Sequence, residues 1–139
     1  MATKAKPIPD GFHTITPYLV VDGAEKVIRF MKEAFGAQPV FEPMMRPDGK
    51  IMHAEVKIGD SPVMLADENL EMGYRGPKTI GGSPVSFMLY VEDADAVVAR
   101  AIAAGGKSLG PVQDKDYGRT GGVEDPFGYT WWVTAAPRK

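Results

Sequence analysis

The chain has 139 residues, with 16 basic and 18 acidic side chains for a formal net charge of -2, and no cysteine. That is the length of one ordinary domain, able to build its core without covalent staples. Disulfides, thiolate nucleophiles and cysteine-based zinc sites are excluded, and no basic stripe exists to neutralise a phosphate backbone, so no nucleic-acid partner is expected. No apolar run reaches the length of a membrane span or a signal segment, so the expectation is a cytoplasmic protein with no membrane partner.

Residues 1–12 are rich in Lys and Pro and read as a loose arm. Residues 14–21 read as a strand, with Pro17 marking an edge or a strand start because it lacks a ladder donor. Asp22, followed three residues later by Glu25, forms an Asp version of the capping box and predicts a helix. Ala24, Val27, Ile28, Met31, Ala34 and Phe35 form its apolar stripe, and Gly36 ends it. Residues 38–45 read as a strand, and Arg46-Pro-Asp-Gly-Lys50 as a hairpin turn led by its Asp-Gly pair. Residues 51–58 and 61–66 complete the module 14–67, a β-α-β-β-β unit.

Residues 68–83 carry Gly73, Gly76, Gly81, Gly82 and Pro77 and read as a linker with a flap. The module 84–136 then repeats the order. Residues 84–91 form a strand and 93–104 a helix with Ala94, Val97, Val98, Ala101 and Ile102 on its apolar face. Residues 107–112 form a short strand, 113–119 a charged loop, and 120–124 and 129–135 strands joined by the Asp125-Pro-Phe-Gly128 turn. Sliding the sequence by 70 positions makes the repetition explicit: Leu19 falls on Leu89, Val21 on Val91, Ala24 on Ala94, Val27 on Val97 and Ala34 on Ala104. A period this long denotes two supersecondary modules rather than a solenoid of short repeats.

Side chains alternate faces along a strand. With Leu19, Val21, Leu89 and Val91 under the helices, the opposite face receives Thr16, Tyr18 and Val20 in one module and Ser86, Met88 and Tyr90 in the other. The same alternation places His53, Glu55 and Lys57 on one face of their strand, against Met52, Ala54, Val56 and Ile58. It separates Thr130, Trp132 and Thr134 from Trp131 and Val133. A face that mixes aromatic, hydroxyl and ionisable groups fits a cleft for a small molecule better than a solvated surface.

The doubled β-α-β-β-β order resembles the vicinal oxygen chelate superfamily, which holds glyoxalase I, bleomycin-resistance proteins and ring-cleaving dioxygenases. Thr16-Pro-Tyr-Leu-Val-Val, Lys32-Glu-Ala-Phe-Gly-Ala37, His53-Ala-Glu-Val-Lys-Ile-Gly-Asp60, Val63-Met-Leu-Ala-Asp67, Tyr90-Val-Glu-Asp-Ala-Asp95 and Glu124-Asp-Pro-Phe-Gly128 carry the likeness to its PhnB-like branch. The resemblance implies an α+β fold of two βαβββ modules with a curved mixed sheet, and a homodimer in which neighbouring subunits can complete the cleft. It also implies a divalent metal held by one ligand from each of four strands. Those positions fall on Thr16, Glu55, Ser86 and Trp132, where only Glu55 is a ligand of the usual kind.

The residues therefore favour a small-molecule-binding member without the usual metal, and no cofactor is expected. His53 and Glu55 are the candidate catalytic groups, each able to serve as general base. Tyr18, Tyr90, Met88 and Trp132 are candidate ligand walls, and Arg119 a candidate fork for an anionic group. Two alternatives stand beside this reading: a metal-dependent lyase or dioxygenase holding zinc, nickel, iron or manganese through His53 and Glu55, and a metal-free enzyme with Glu55 as base. A methyltransferase reading finds no Gly-rich strand-to-helix loop for an adenosyl cofactor.

Overall fold

A computed structural model describes residues 6–137; the first part of the expected arm, residues 1–5, lies outside the described residues. In the remainder of that arm Lys6 pairs with Asp10, and the Phe12 amide donates to the Pro9 carbonyl in a turn. The first module runs β1 (Tyr18–Val21), α1 (Ala24–Phe35), β2 (Gln38–Pro39), β3 (Met44–Met45), β4 (Ile51–Ile58) and β5 (Ser61–Asp67). The second runs β6 (Ser86–Tyr90), α3 (Ala94–Ala103), β7 (Lys107–Ser108), β8 (Gln113–Lys115), β9 (Gly118–Glu124) and β10 (Thr130–Ala135). Between them lie a 3₁₀ turn (Leu70–Met72) and the short helix α2 (Pro77–Ile80).

Each module forms its own five-stranded mixed sheet. The strand orders are β1-β5-β4-β2 and β6-β10-β9-β7, with β3 pairing β4 and β8 pairing β9. The two sheets are thus topological copies, parallel where the first strand meets the last and antiparallel elsewhere. The strand expected over 38–45 is split into β2 and β3, with Pro39 and Pro43 around the gap; Gly110 and Pro111 lie in the corresponding gap between β7 and β8. Proline supplies no ladder donor, so each gap falls where the sequence cannot sustain pairing.

Both helices lie under their own sheets and also pack on each other. Leu19, Val21, Ala54, Val56 and Leu65 of the first sheet, the inner stripes of α1 and α3, and Val123, Trp131 and Val133 of the second sheet form one buried core. Aromatic contacts weld the modules: Phe35 lies 4.8 Å from Trp131 between ring centroids, and Phe30 meets Phe127 edge-on at 6.4 Å. The Tyr129 hydroxyl donates to the Val20 carbonyl across the same seam. Because α1 packs on two sides, its stripe is wider than a single-sheet helix requires. Phe30 is buried although the expected stripe omits it, and Ile28 and Phe35 are only half-buried.

Two further local expectations are corrected. Asp22 does not cap α1. The N-cap is Gly23, in the left-handed region (φ 101°), with no side-chain cap of its own. Asp67, at the end of β5, reaches across instead and accepts the amides of Gly23, Ala24 and Ile51 at 2.7–2.9 Å. Met52 is not on the helix side of β4. The β3–β4 register steps from Met44↔His53 to Met45↔Ile51, so β4 carries one extra residue there. Such a bulge reverses the alternation: Ile51 turns into the core and Met52 is exposed. Among the described residues no helix is long and apolar enough to cross a membrane.

Candidate functional site

The faces turned away from the helices carry the candidate residues. In the first sheet the register aligns Tyr18, Met64 and Glu55 across β1, β5 and β4. Val20 and Ala66 lie in the next row, beside His53. Tyr18, expected as a ligand wall, and His53, expected as a base, are joined directly: Tyr18 Oη lies 2.8 Å from His53 Nδ1. Phe41, which is not among the candidates expected from the sequence, stacks on the imidazole at 5.9 Å and 23°. Its only sequence signal was its place beside Pro39 and Pro43, where the strand breaks and a loop folds back.

Burial and the neighbouring Tyr74 hold the Tyr18 phenol above its ordinary pKa, so it keeps its proton at neutral pH. A phenol is the better donor and an imidazole nitrogen the better acceptor, so Tyr18 donates to Nδ1. In the neutral imidazole this bond selects the tautomer that carries its hydrogen on Nε2. Tyr74 belongs to the linker segment and is held by mutual amide–carbonyl bonds with Asn69. The Glu68 carboxylate pins the same segment by accepting the Gly76 amide and the Thr79 hydroxyl. The expected flap is therefore a tied loop beside the first sheet.

Glu55 is only 6% exposed, yet among the described residues its carboxylate has no hydrogen-bond or ion-pair partner. No buried side-chain polar atom among those residues is unpartnered, so the carboxylate oxygens remain at the surface of the face. Glu55 lines a cleft of about 400 Å³ with Ile28, Val40 and Phe41, at the gap between β2 and β3. Among the described residues Glu55 does not pair with Lys57 or a cross-strand arginine, the structural role open to such a carboxylate.

In the second sheet Met88, Trp132 and Gly122 share one row, and Tyr90, Thr134 and Thr120 the next. The Trp132 ring lies flat over Gly122. A Cβ built there would fall 2.5 Å from the ring, so the strand is cut to glycine to seat the indole. Thr134 is buried and shares its hydroxyl with Thr120 at 2.9 Å and with Met88 Sδ at 3.1 Å. Tyr90 is 79% exposed and lines a cavity of about 510 Å³ with Tyr117. Arg119 is already engaged: its guanidinium bonds Asp95 at 2.6 and 3.1 Å and Asp114 at 3.2 Å, which pushes its pKa up. Its fork ties β9 to α3 and to β8 and is occupied, rather than open to an anionic ligand.

The two halves of the predicted site do not meet within one chain. Tyr18, His53 and Glu55 stand on the outer face of one sheet, and Met88, Tyr90 and Trp132 on the outer face of the other, with the helices and the common core between them. The module equivalence also moves one of the implied metal positions. Trp132 pairs with Met88, and the counterpart of Met88 is Tyr18, whose partner is Met64. The position equivalent to Trp132 is therefore Met64, not Glu55, which corresponds instead to Gly122. The set becomes Thr16, Met64, Ser86 and Trp132. Two neutral hydroxyls, a thioether and an indole do not fit a divalent zinc, nickel, iron or manganese ion.

The model of the Glyoxalase/Bleomycin resistance protein/Dioxygenase superfamily matches residues 11–133. The chain belongs to that superfamily. An uncharacterized protein of Mycobacterium tuberculosis strain H37Rv is 40% identical over 121 residues, covering 84% of this chain and 71% of the relative. The crystal structure of an Arabidopsis thaliana gene product superposes with a TM-score of 0.72 at 27% identity, over 88% of this chain and 98% of that one. The PhnB protein of Bacillus cereus shares the fold at a TM-score of 0.69 and 20% identity, over 89% and 100% of the two chains. The superfamily fold of paired βαβββ modules is thus the fold of this chain.

Proposed function

We propose that this superfamily member binds a small planar molecule, without a divalent metal, in a cleft that a homodimer completes. The observation that carries the reading is the outward placement of both candidate faces. Tyr18 is 50% exposed, Met88 48% and Trp132 39%, and large apolar side chains on two separate sheet faces call for cover. One twofold rotation of a second copy sets the first sheet of one protomer against the second sheet of its partner, and does so twice. The edge strands β1 and β6, each paired on one side only, border those two faces.

In this arrangement Tyr18, His53, Phe41 and Glu55 face Met88, Tyr90 and Trp132 of the partner subunit across a cleft with aromatic walls and few polar groups, the composition of a small-ligand site. The metal-free enzyme with Glu55 as base remains the second reading, favoured by the low exposure of a carboxylate with no partner among the described residues. It predicts turnover that Glu55→Gln abolishes while binding persists. Sedimentation equilibrium combined with a thermal-shift screen of planar aromatic compounds tests the leading reading. A dimer whose midpoint rises with ligand supports it, and a monomer that no compound stabilises contradicts it.

A further inference from the structure

We infer that the outer face of the first sheet reads a cis-amide edge, the adjacent C=O and N–H of a lactam fused to a planar ring, with His53 Nε2–H donating to the carbonyl and Glu55 accepting from the N–H. The inference rests on the ligand-cleft reading above and names the ligand class for that cleft.

His53 and Glu55 stand two residues apart on the same face of β4, so their backbone anchors are about 6.8 Å apart at the usual strand rise. Two hydrogen bonds of about 2.9 Å that diverge from neighbouring ligand atoms span such a gap. The polarity of each group is set by its surroundings. With the Tyr18 hydroxyl donating to Nδ1, the neutral imidazole carries its hydrogen on Nε2 and presents a donor there. The Glu55 carboxylate, with no partner among the described residues, is an acceptor only.

A ligand that offers two acceptors meets repulsion at Glu55, and one that offers two donors meets a second N–H at His53. A carboxylate is excluded by the charge of Glu55. The amide edge supplies one of each in the required order. The rings of Phe41 and Tyr18, both within 5.9 Å of the imidazole, favour a fused aromatic body over a flexible amide.

Three ring compounds of matched size test this by titration calorimetry with the intact protein: isoquinolin-1-one, its N-methyl derivative and isoquinoline. The lactam should bind about tenfold or more tightly than the N-methyl compound, the discrimination expected of one charge-assisted hydrogen bond. Glu55→Met should remove that preference, and Glu55→Gln, which keeps an acceptor oxygen, should retain part of it. Tyr18→Phe should weaken the lactam by a few-fold, because the tautomer that presents Nε2–H is released. Equal binding of all three compounds overturns the inference and leaves the ligand cleft standing. Tighter binding of 1-aminomethylisoquinoline than of the lactam overturns it too, by showing that Glu55 takes a cation. Failure of every ring compound to bind a folded protein overturns the cleft as well.

Discussion

At the residue scale, two buried carboxylates anchor the fold, Asp67 across a long stretch of sequence and Asp125 within its own turn. Asp67 holds three backbone amides from two elements. Asp67→Ala should cost about 3 kcal/mol, since it leaves buried donors without a partner, and a urea titration reads the loss directly. Asp125 is buried and accepts the Phe127 and Tyr129 amides and the Trp131 indole N–H. Burial nevertheless outweighs those bonds and raises its pKa above 3.8. The neutral form is thus the one the fold prefers. The stability this residue contributes is full below the unfolded pKa and is lost as pH rises through the higher folded one. The stability difference between wild type and Asp125→Asn should therefore shrink as pH rises from 3.8 through the raised pKa; a difference that grows over that range would contradict the assignment.

The Tyr18–His53 bond makes a spectroscopic prediction. Imidazole ¹⁵N shifts at neutral pH should report the Nε2–H tautomer in the wild type and a mixture in Tyr18→Phe. Neither the Tyr18–His53 bond nor the Asp67 cap was legible in the sequence, because Tyr18 and His53 are 35 residues apart and Asp67 is 43 from Ala24.

At the element scale, the sequence carried the order of strands and helices well. The repeat at 70 positions needs only local periodicity and the glycines that close each helix, and both modules fold accordingly. What escaped depends on neighbours. Alternation along 51–58 placed Met52 inward, but the bulge against β3 exists only once two strands are paired, and it exposes Met52 and buries Ile51. Phe30 joined the core because α1 meets Phe127 of the other module, a contact that periodicity within one helix does not contain.

The glycine under Trp132 is likewise set by a partner strand. Gly122→Val should displace the indole, red-shift its fluorescence and weaken any ring compound that stacks on it, with stability falling by about 1–3 kcal/mol as for other overpacked sites. An unchanged emission spectrum would mean that the ring does not rest on that strand.

At the scale of the whole molecule, the resemblance correctly indicated two modules, but their placement decides the site. The sequence put Tyr18, Glu55, Tyr90 and Trp132 on the strand faces away from the helices. It could not show that the helices pack back to back, which turns those faces in opposite directions. Thr16, Met64, Ser86 and Trp132, the metal positions that the resemblance and the strand register imply, carry no ionisable side chain. Protein purified with a chelator should therefore keep the melting temperature and ligand affinity of protein purified without one. Stoichiometric zinc, nickel, iron or manganese in the latter would contradict this.

The absence of cysteine gives a clean background for the most direct test of the composite cleft. Met64→Cys and Met88→Cys proteins, mixed, equilibrated and treated with a short bismaleimide, report which faces meet. Intermolecular products should join Met64→Cys to Met88→Cys in preference to either variant joined to itself. Products confined to like pairs, or none between chains, would contradict it.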